Sequence, residues 1–64
     1  MAAARSTRTV EVDGYEVRVK VAAGRFKVEF DDAEAAAHAL GQPVRDVLAR
    51  AEAAARAADG QNRG

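Results

Sequence analysis

Apolar and polar residues alternate with a period of two from Thr9 to Phe30, the spacing of strands with one buried face. Val10 and Val12 fall on one side, and Thr9, Glu11 and Asp13 on the other. Asp13-Gly14 is a favoured two-residue hairpin pair, because both residues tolerate positive φ. A turn there sets Val12 opposite Tyr15 and Val10 opposite Val17, which keeps both pairs on one face. Tyr15, Val17, Val19 and Val21 continue that face, and Phe26, Val28 and Phe30 resume it after "AAG". An even-length connection would place Val21 opposite Phe26, Val19 opposite Val28 and Val17 opposite Phe30. The expected result is a three-stranded antiparallel meander with one apolar face that needs a cover.

Two helices are expected to supply the cover. Asp31 with Glu34 three residues on fits a capping box. Ala33, Ala36, Ala37 and Leu40 then form a helical stripe that Gly41 ends. Pro43 suits a first helical turn, and Val44, Val47, Leu48, Ala51, Ala55 and Ala58 keep a 3.6-residue period beyond it. Glu34–His38, Asp46–Arg50 and Glu52–Arg56 are acid-first (i, i+4) pairs suited to solvated helix faces. The fold class is therefore α+β, in the order β-β-β-α-α, with both helices on one face of the sheet. Residues 9–58 are expected to form a single small domain. A flexible lead-in at 1–8 and a flexible tail at 59–64 are expected to flank it.

Size changes this picture in one respect. The chain has 64 residues and no cysteine, and much of its 48% hydrophobic content is alanine. Alanine buries little area, and no disulfide or thiolate metal site can staple the fold, so oligomerisation or docking is an expected remedy. Ten basic and ten acidic residues cancel to a formal charge of zero, so no global field attracts nucleic acid. No apolar run is long enough to span a membrane, and "MAAARSTR" lacks the apolar core of an export signal. A cytoplasmic location agrees with these features.

The same register maps the polar face of the sheet. Lys20 falls opposite Lys27, with Arg25 near by, Arg18 falls opposite Glu29, and Glu16 lies near Asp31. Facing lysines cost stability unless an anion sits between them, so Arg18, Lys20 and Lys27 are candidates to steady nucleotide phosphates. The acidic end offers Glu29, Asp31 and Asp32 as candidate ligands for a hard divalent cation such as Mg²⁺ or Mn²⁺. The alternatives are a charged strand face that deters edge aggregation and aspartates that begin a helix. His38 is the single histidine, and there is no Ser-His-Asp set and no glycine-rich phosphate loop. Catalysis by this chain alone is not expected. "AAAHALGQPVRDVLARA" also carries helix-turn-helix spacing at Ala37, Gly41 and Val47, which would present Arg45, Asp46, Ala49 and Arg50 to DNA. Zero net charge and the acid at Asp46 speak against nucleic acid as a partner.

Two segments carry a family resemblance. "VEVDGYEVRVKVA" and "FKVEFDDAEAAAHALGQPVRDVLARA" resemble the C-terminal end of the nickel insertion proteins of nickel-pincer cofactor synthesis. The likeness runs from about Thr9 to Ala58, with Val28 where the family commonly has proline and Ala33 where it often has cysteine. It implies a CTP-dependent cyclometallase, of lyase type, that places nickel in a pyridinium bis-thiocarboxylate mononucleotide. It also implies CTP with Mg²⁺ or Mn²⁺ as cofactors, nickel as the substrate metal, and oligomer assembly. A chain this short is then expected to be a terminal piece that works with a larger nickel-insertion subunit, with itself as a homo-oligomer, or with both. A non-catalytic oligomerisation or interaction module is the bland alternative.

Overall fold

Three antiparallel strands in the order β1-β2-β3 form one sheet: β1 (Arg5–Val12), β2 (Tyr15–Ala22) and β3 (Arg25–Val28). The computed structural model describes residues 5–61. Val10 pairs with Val17, Val12 with Tyr15, Val19 with Val28 and Val21 with Phe26, the register that hydrophobic parity predicts. Both hairpins close on two residues in left-handed backbone, Asp13 and Gly14 in the first, Ala23 and Gly24 in the second. That geometry is the type I′ turn, whose twist matches the strands it joins. Ala23 holds a φ of 51° with neither glycine's freedom nor a short polar side chain, which costs about 1 kcal/mol. Ala23→Asn should therefore raise the thermal midpoint by about 5 °C, read by circular dichroism. An unchanged midpoint would show that the turn carries no such strain.

The strands differ from expectation at both ends. β1 begins at Arg5, so Arg5–Arg8 of the expected lead-in is strand, while residues 1–4 lie outside the described residues. Ser6 and Arg8 occupy apolar-parity positions there, which hides the strand from a hydrophobic pattern. Arg8 is half-buried, and its guanidinium donates to Asp59 at 3.1 Å near the end of the second helix. β3 stops at Val28, so the expected Val17–Phe30 pairing does not form. Phe30 instead opens helix α1 (Phe30–Leu40) and is 50% exposed.

The strand-to-helix junction explains that change. Glu29 keeps one rung of the ladder by donating its amide to the Arg18 carbonyl at 2.9 Å. Its own carbonyl accepts the first helical bond from the Ala33 amide at 3.1 Å. Glu29 is thus the N-cap, with no side-chain cap bond, and the expected capping box on Asp31 does not form. Helix α1 begins too early for it, leaving Asp31 and Asp32 inside the first turn. Acids there still complement the helix dipole.

Helix α1 ends as predicted. Gly41 adopts φ 68°, and the Gln42 amide reaches back to the Ala37 carbonyl at 3.0 Å. Pro43 then offers its carbonyl to the amides of Asp46 and Val47 and starts helix α2 (Val44–Gln61). α2 includes Asp59–Gln61 of the expected tail, and residues 62–64 lie outside the described residues. Both alanine-rich stripes pack on the valine face. The core is Val10, Val12, Val17, Val19, Ala33, Ala36, Ala37, Val47, Ala51 and Ala55.

Polar contacts at the margins tie the layers together. Arg50 crosses to Asp13 at 2.7 Å, rather than pairing with Asp46 along its own helix. Gln42 joins both partners, so the first hairpin turn, the interhelical link and α2 share one network. Glu52–Arg56 does close along the helix, at 2.7 Å, and the Arg56 guanidinium lies 4.8 Å from the centre of the Phe26 ring. Among the described residues no ion pair joins Glu34 to His38, and no helix is long and apolar enough to cross a membrane.

Candidate functional site

With both helices on the valine face, the opposite face of the sheet stays open. Its rows follow directly from the register: Thr9 with Arg18, Thr7 with Lys20 and Lys27, and Ala22 with Arg25. Lys20 and Lys27 face each other as predicted, on adjacent strands whose paired Cα atoms lie about 5.5 Å apart. At the Ala23–Gly24 end of the sheet is a concavity of about 520 Å³. It is lined by Lys20, Arg25 and Lys27, with Ser6, Thr7, Val21 and Ala22 completing the wall.

The six candidate residues are distributed unevenly about this concavity. Lys20 and Lys27 line it, whereas Arg18 does not and turns towards α1. The Arg18 guanidinium donates twice to Asp32, at 2.8 and 3.1 Å. The Arg18 backbone amide also donates to Asp32, at 3.1 Å. This carboxylate replaces the strand carbonyl that Glu29 has given to the helix, so Asp32 extends the ladder by a side chain. Glu29 forms an ion pair with Lys20 at 3.3 Å. Asp31 is exposed on the first turn of α1. Among the described residues no three histidine or carboxylate side chains gather as a metal-ligand group. Glu29 and Asp32 thus balance Lys20 and Arg18 instead of converging with Asp31.

Sequence reasoning placed Arg25 near the basic end of this face without making it a phosphate contact, and left out Ser6 and Thr7. Arg25 was legible, because it lies two residues before Lys27 and therefore on the same face. In the "STRT" run Thr7 and Thr9 share the polar parity, which hints at Thr7, whereas Ser6 and Arg8 at the inward parity carry no apolar signal.

Two aspartates hold protons less readily than usual. Hydrogen bonds from the Arg18 side chain, and then from its amide, lower the Asp32 pKa below the ordinary 3.8. The Arg50 guanidinium, and then Gln42, do the same for Asp13. The partner arginines are raised in turn, each by its bonded aspartate. Folded values below unfolded ones mean that both contacts stabilise the fold fully above pH 3.8 and lose this as pH falls through the folded values. The thermal midpoint should therefore drop below about pH 4, and Asp13→Asn with Asp32→Asn should flatten that drop. A double variant as acid-sensitive as the parent would assign the drop to other groups.

The molecule is an α+β meander backed by two helices, with a basic concavity on its open face. The profile of the nickel insertion protein family matches residues 1–48, three quarters of the chain. This chain belongs to that family, which ties it to nickel insertion. The match ends within α2, so the rest of that helix lies beyond it. No curated protein and no solved structure matches the chain.

Proposed function

We propose that this chain is an accessory module for nickel insertion that acts with a larger subunit and a CTP-dependent reaction in the cytoplasm. The substrate metal is nickel, and its destination is the pyridinium bis-thiocarboxylate mononucleotide. The observation that carries the reading is the facing pair Lys20 and Lys27 at the edge of a cationic concavity. Like charges fixed opposite each other repel, and an anion between them turns that repulsion into binding. The residues fit the phosphates of CTP, with Lys20 and Lys27 as direct contacts and Arg18 as a second-row cation held by Asp32.

The acids fit a divalent cation less well, since Glu29 and Asp32 already engage Lys20 and Arg18. In this reading Mg²⁺ or Mn²⁺ arrives on the phosphate oxygens, where CTP supplies the charge that carries it. Glu29 and Asp31 are then the carboxylates of this chain available to approach it, once Lys20 turns to the phosphates. The chain's own work is binding and placement, and the larger subunit supplies the reacting groups.

Reconstituting nickel insertion with a larger subunit tests this. Omitting the chain should abolish CTP-dependent nickel incorporation. Lys20→Ala with Lys27→Ala should reduce it by about tenfold or more, the loss expected for two charge-assisted contacts. Full incorporation without the chain would overturn the reading.

A further inference from the structure

We propose that the open-face concavity recognises a polyphosphate chain and is indifferent to the nucleoside attached to it. The inference deepens the nickel-insertion reading, and rests on it for the identity of the natural ligand. Its cation set is Lys20, Arg25 and Lys27, with Arg25 taking the place that sequence reasoning gave to Arg18.

The lining decides the ligand class. Three cationic side chains come from two adjacent strands, and the hydroxyl of Thr7, in the same row as Lys20 and Lys27, adds a neutral donor from the third. Every polar side chain in the wall can donate a hydrogen bond, which suits an acceptor-only ligand of high negative charge. Reading a base requires something else: an aromatic plane to stack on, or side-chain amides and carboxylates aimed at the base edge. None lines the concavity among the described residues. Phe26 lies on the opposite face of the sheet, under Arg56. Tyr15 closes the far hairpin, at the other end of β2. A nucleotide seated by its phosphates would leave its base directed away from any group able to identify it.

Electrostatics give the same answer. Arg18 is held by two side-chain bonds and one backbone bond to Asp32, so it is committed to the junction. Lys20 has one exposed contact to Glu29 at 3.3 Å, a pair of the kind that contributes little in water. Lys20 can therefore leave Glu29 for a phosphate, while Arg25 and Lys27 make no ion pair among the described residues. Strand β3 holds Arg25 and Lys27 two positions apart. It sets Lys20 across from Lys27, so the three charges follow an extended chain of phosphates. Any preference for cytidine must then be built by the larger subunit.

Calorimetric titration of the full chain at low ionic strength tests the proposal with inorganic tripolyphosphate, CTP, ATP and cytidine as probes. Tripolyphosphate, CTP and ATP should bind within about threefold of one another, and cytidine should give no heat. All three affinities should fall steeply with added salt, as screening of exposed charges requires. Arg25→Ala and Lys27→Ala should each weaken all three by about tenfold, while Arg45→Ala, which removes one charge from α2, should change them by less than about twofold. Circular dichroism of each variant confirms that the fold is retained. CTP binding at least tenfold tighter than tripolyphosphate would overturn base-indifference and leave the nickel-insertion reading standing. Unchanged affinity in Arg25→Ala, or no binding of tripolyphosphate, would overturn the site itself. Normal tripolyphosphate binding with no effect of the chain on nickel insertion would leave this site intact and remove the functional reading.

Discussion

Val17→Asp should abolish the folded state, seen as loss of the cooperative urea transition and of the native far-ultraviolet spectrum. Val17 sits in the central strand, is fully buried, and is surrounded by valines and alanines that offer a carboxylate no partner. Burying an unpaired charge costs several kcal/mol, while a chain of this length is stable by about 3–10 kcal/mol in total. Val17→Ala provides the graded version, with two methyl groups lost and a small cavity left, at a cost of about 2 kcal/mol. Thr9→Asp is the control, because Thr9 lies on the open face across from Arg18 and is exposed. A folded Val17→Asp protein within about 1 kcal/mol of the parent would mean that the valine face is not the core.

The contrast between those two positions shows why the fold was readable. In a strand, facing is decided by parity, so two-residue turns at Asp13-Gly14 and Ala23-Gly24 commit each following strand to a side. The pairings of Val10 and Val12 follow from the first turn, and those of Val19 and Val21, with Lys20 against Lys27, from the second. Where parity carries no hydrophobic signal, reading fails. Arg8 faces the helices with its charge tied to Asp59, a contact between residues 51 positions apart that no local pattern encodes. Phe30 fits the strand pattern and yet begins a helix, because the helix competes for the same backbone. Once the Glu29 carbonyl bonds to Ala33, the ladder cannot continue through it.

The candidate site divides along the same line. Backbone register was enough to find Lys20 and Lys27, since it fixes which Cα atoms face each other. It could not show that Arg18 would turn to Asp32, because that depends on where α1 begins relative to the end of β3. Asp32 was legible as a first-turn acid and as a possible cation ligand. Its actual partners are the side chain and the amide of a strand residue fourteen positions earlier. Charges with long side chains settle by tertiary geometry, and a linear sequence constrains that weakly.

The alanine stripe gives the second large effect. Ala51→Leu should destabilise the domain by about 1–3 kcal/mol, measured as a lower urea midpoint with an unchanged slope. Ala51 is fully buried at the centre of α2, and Ala33, Ala36, Ala37 and Ala55 are buried with it. Leucine has the higher transfer free energy, so area alone predicts stabilisation. Packing predicts the reverse, because small residues let both helices lie close on a sheet whose own side chains are mostly valine. A larger side chain at Ala51 must lift α2 from the sheet, stretching the Arg50–Asp13 and Arg8–Asp59 bridges at its margins. Ala49→Leu, on the exposed side of the same helix, adds the same atoms without that displacement and should change stability by less than about 0.5 kcal/mol. If Ala51→Leu proved stabilising, the interface would have room to spare, and the alanines would reflect helix propensity rather than close approach.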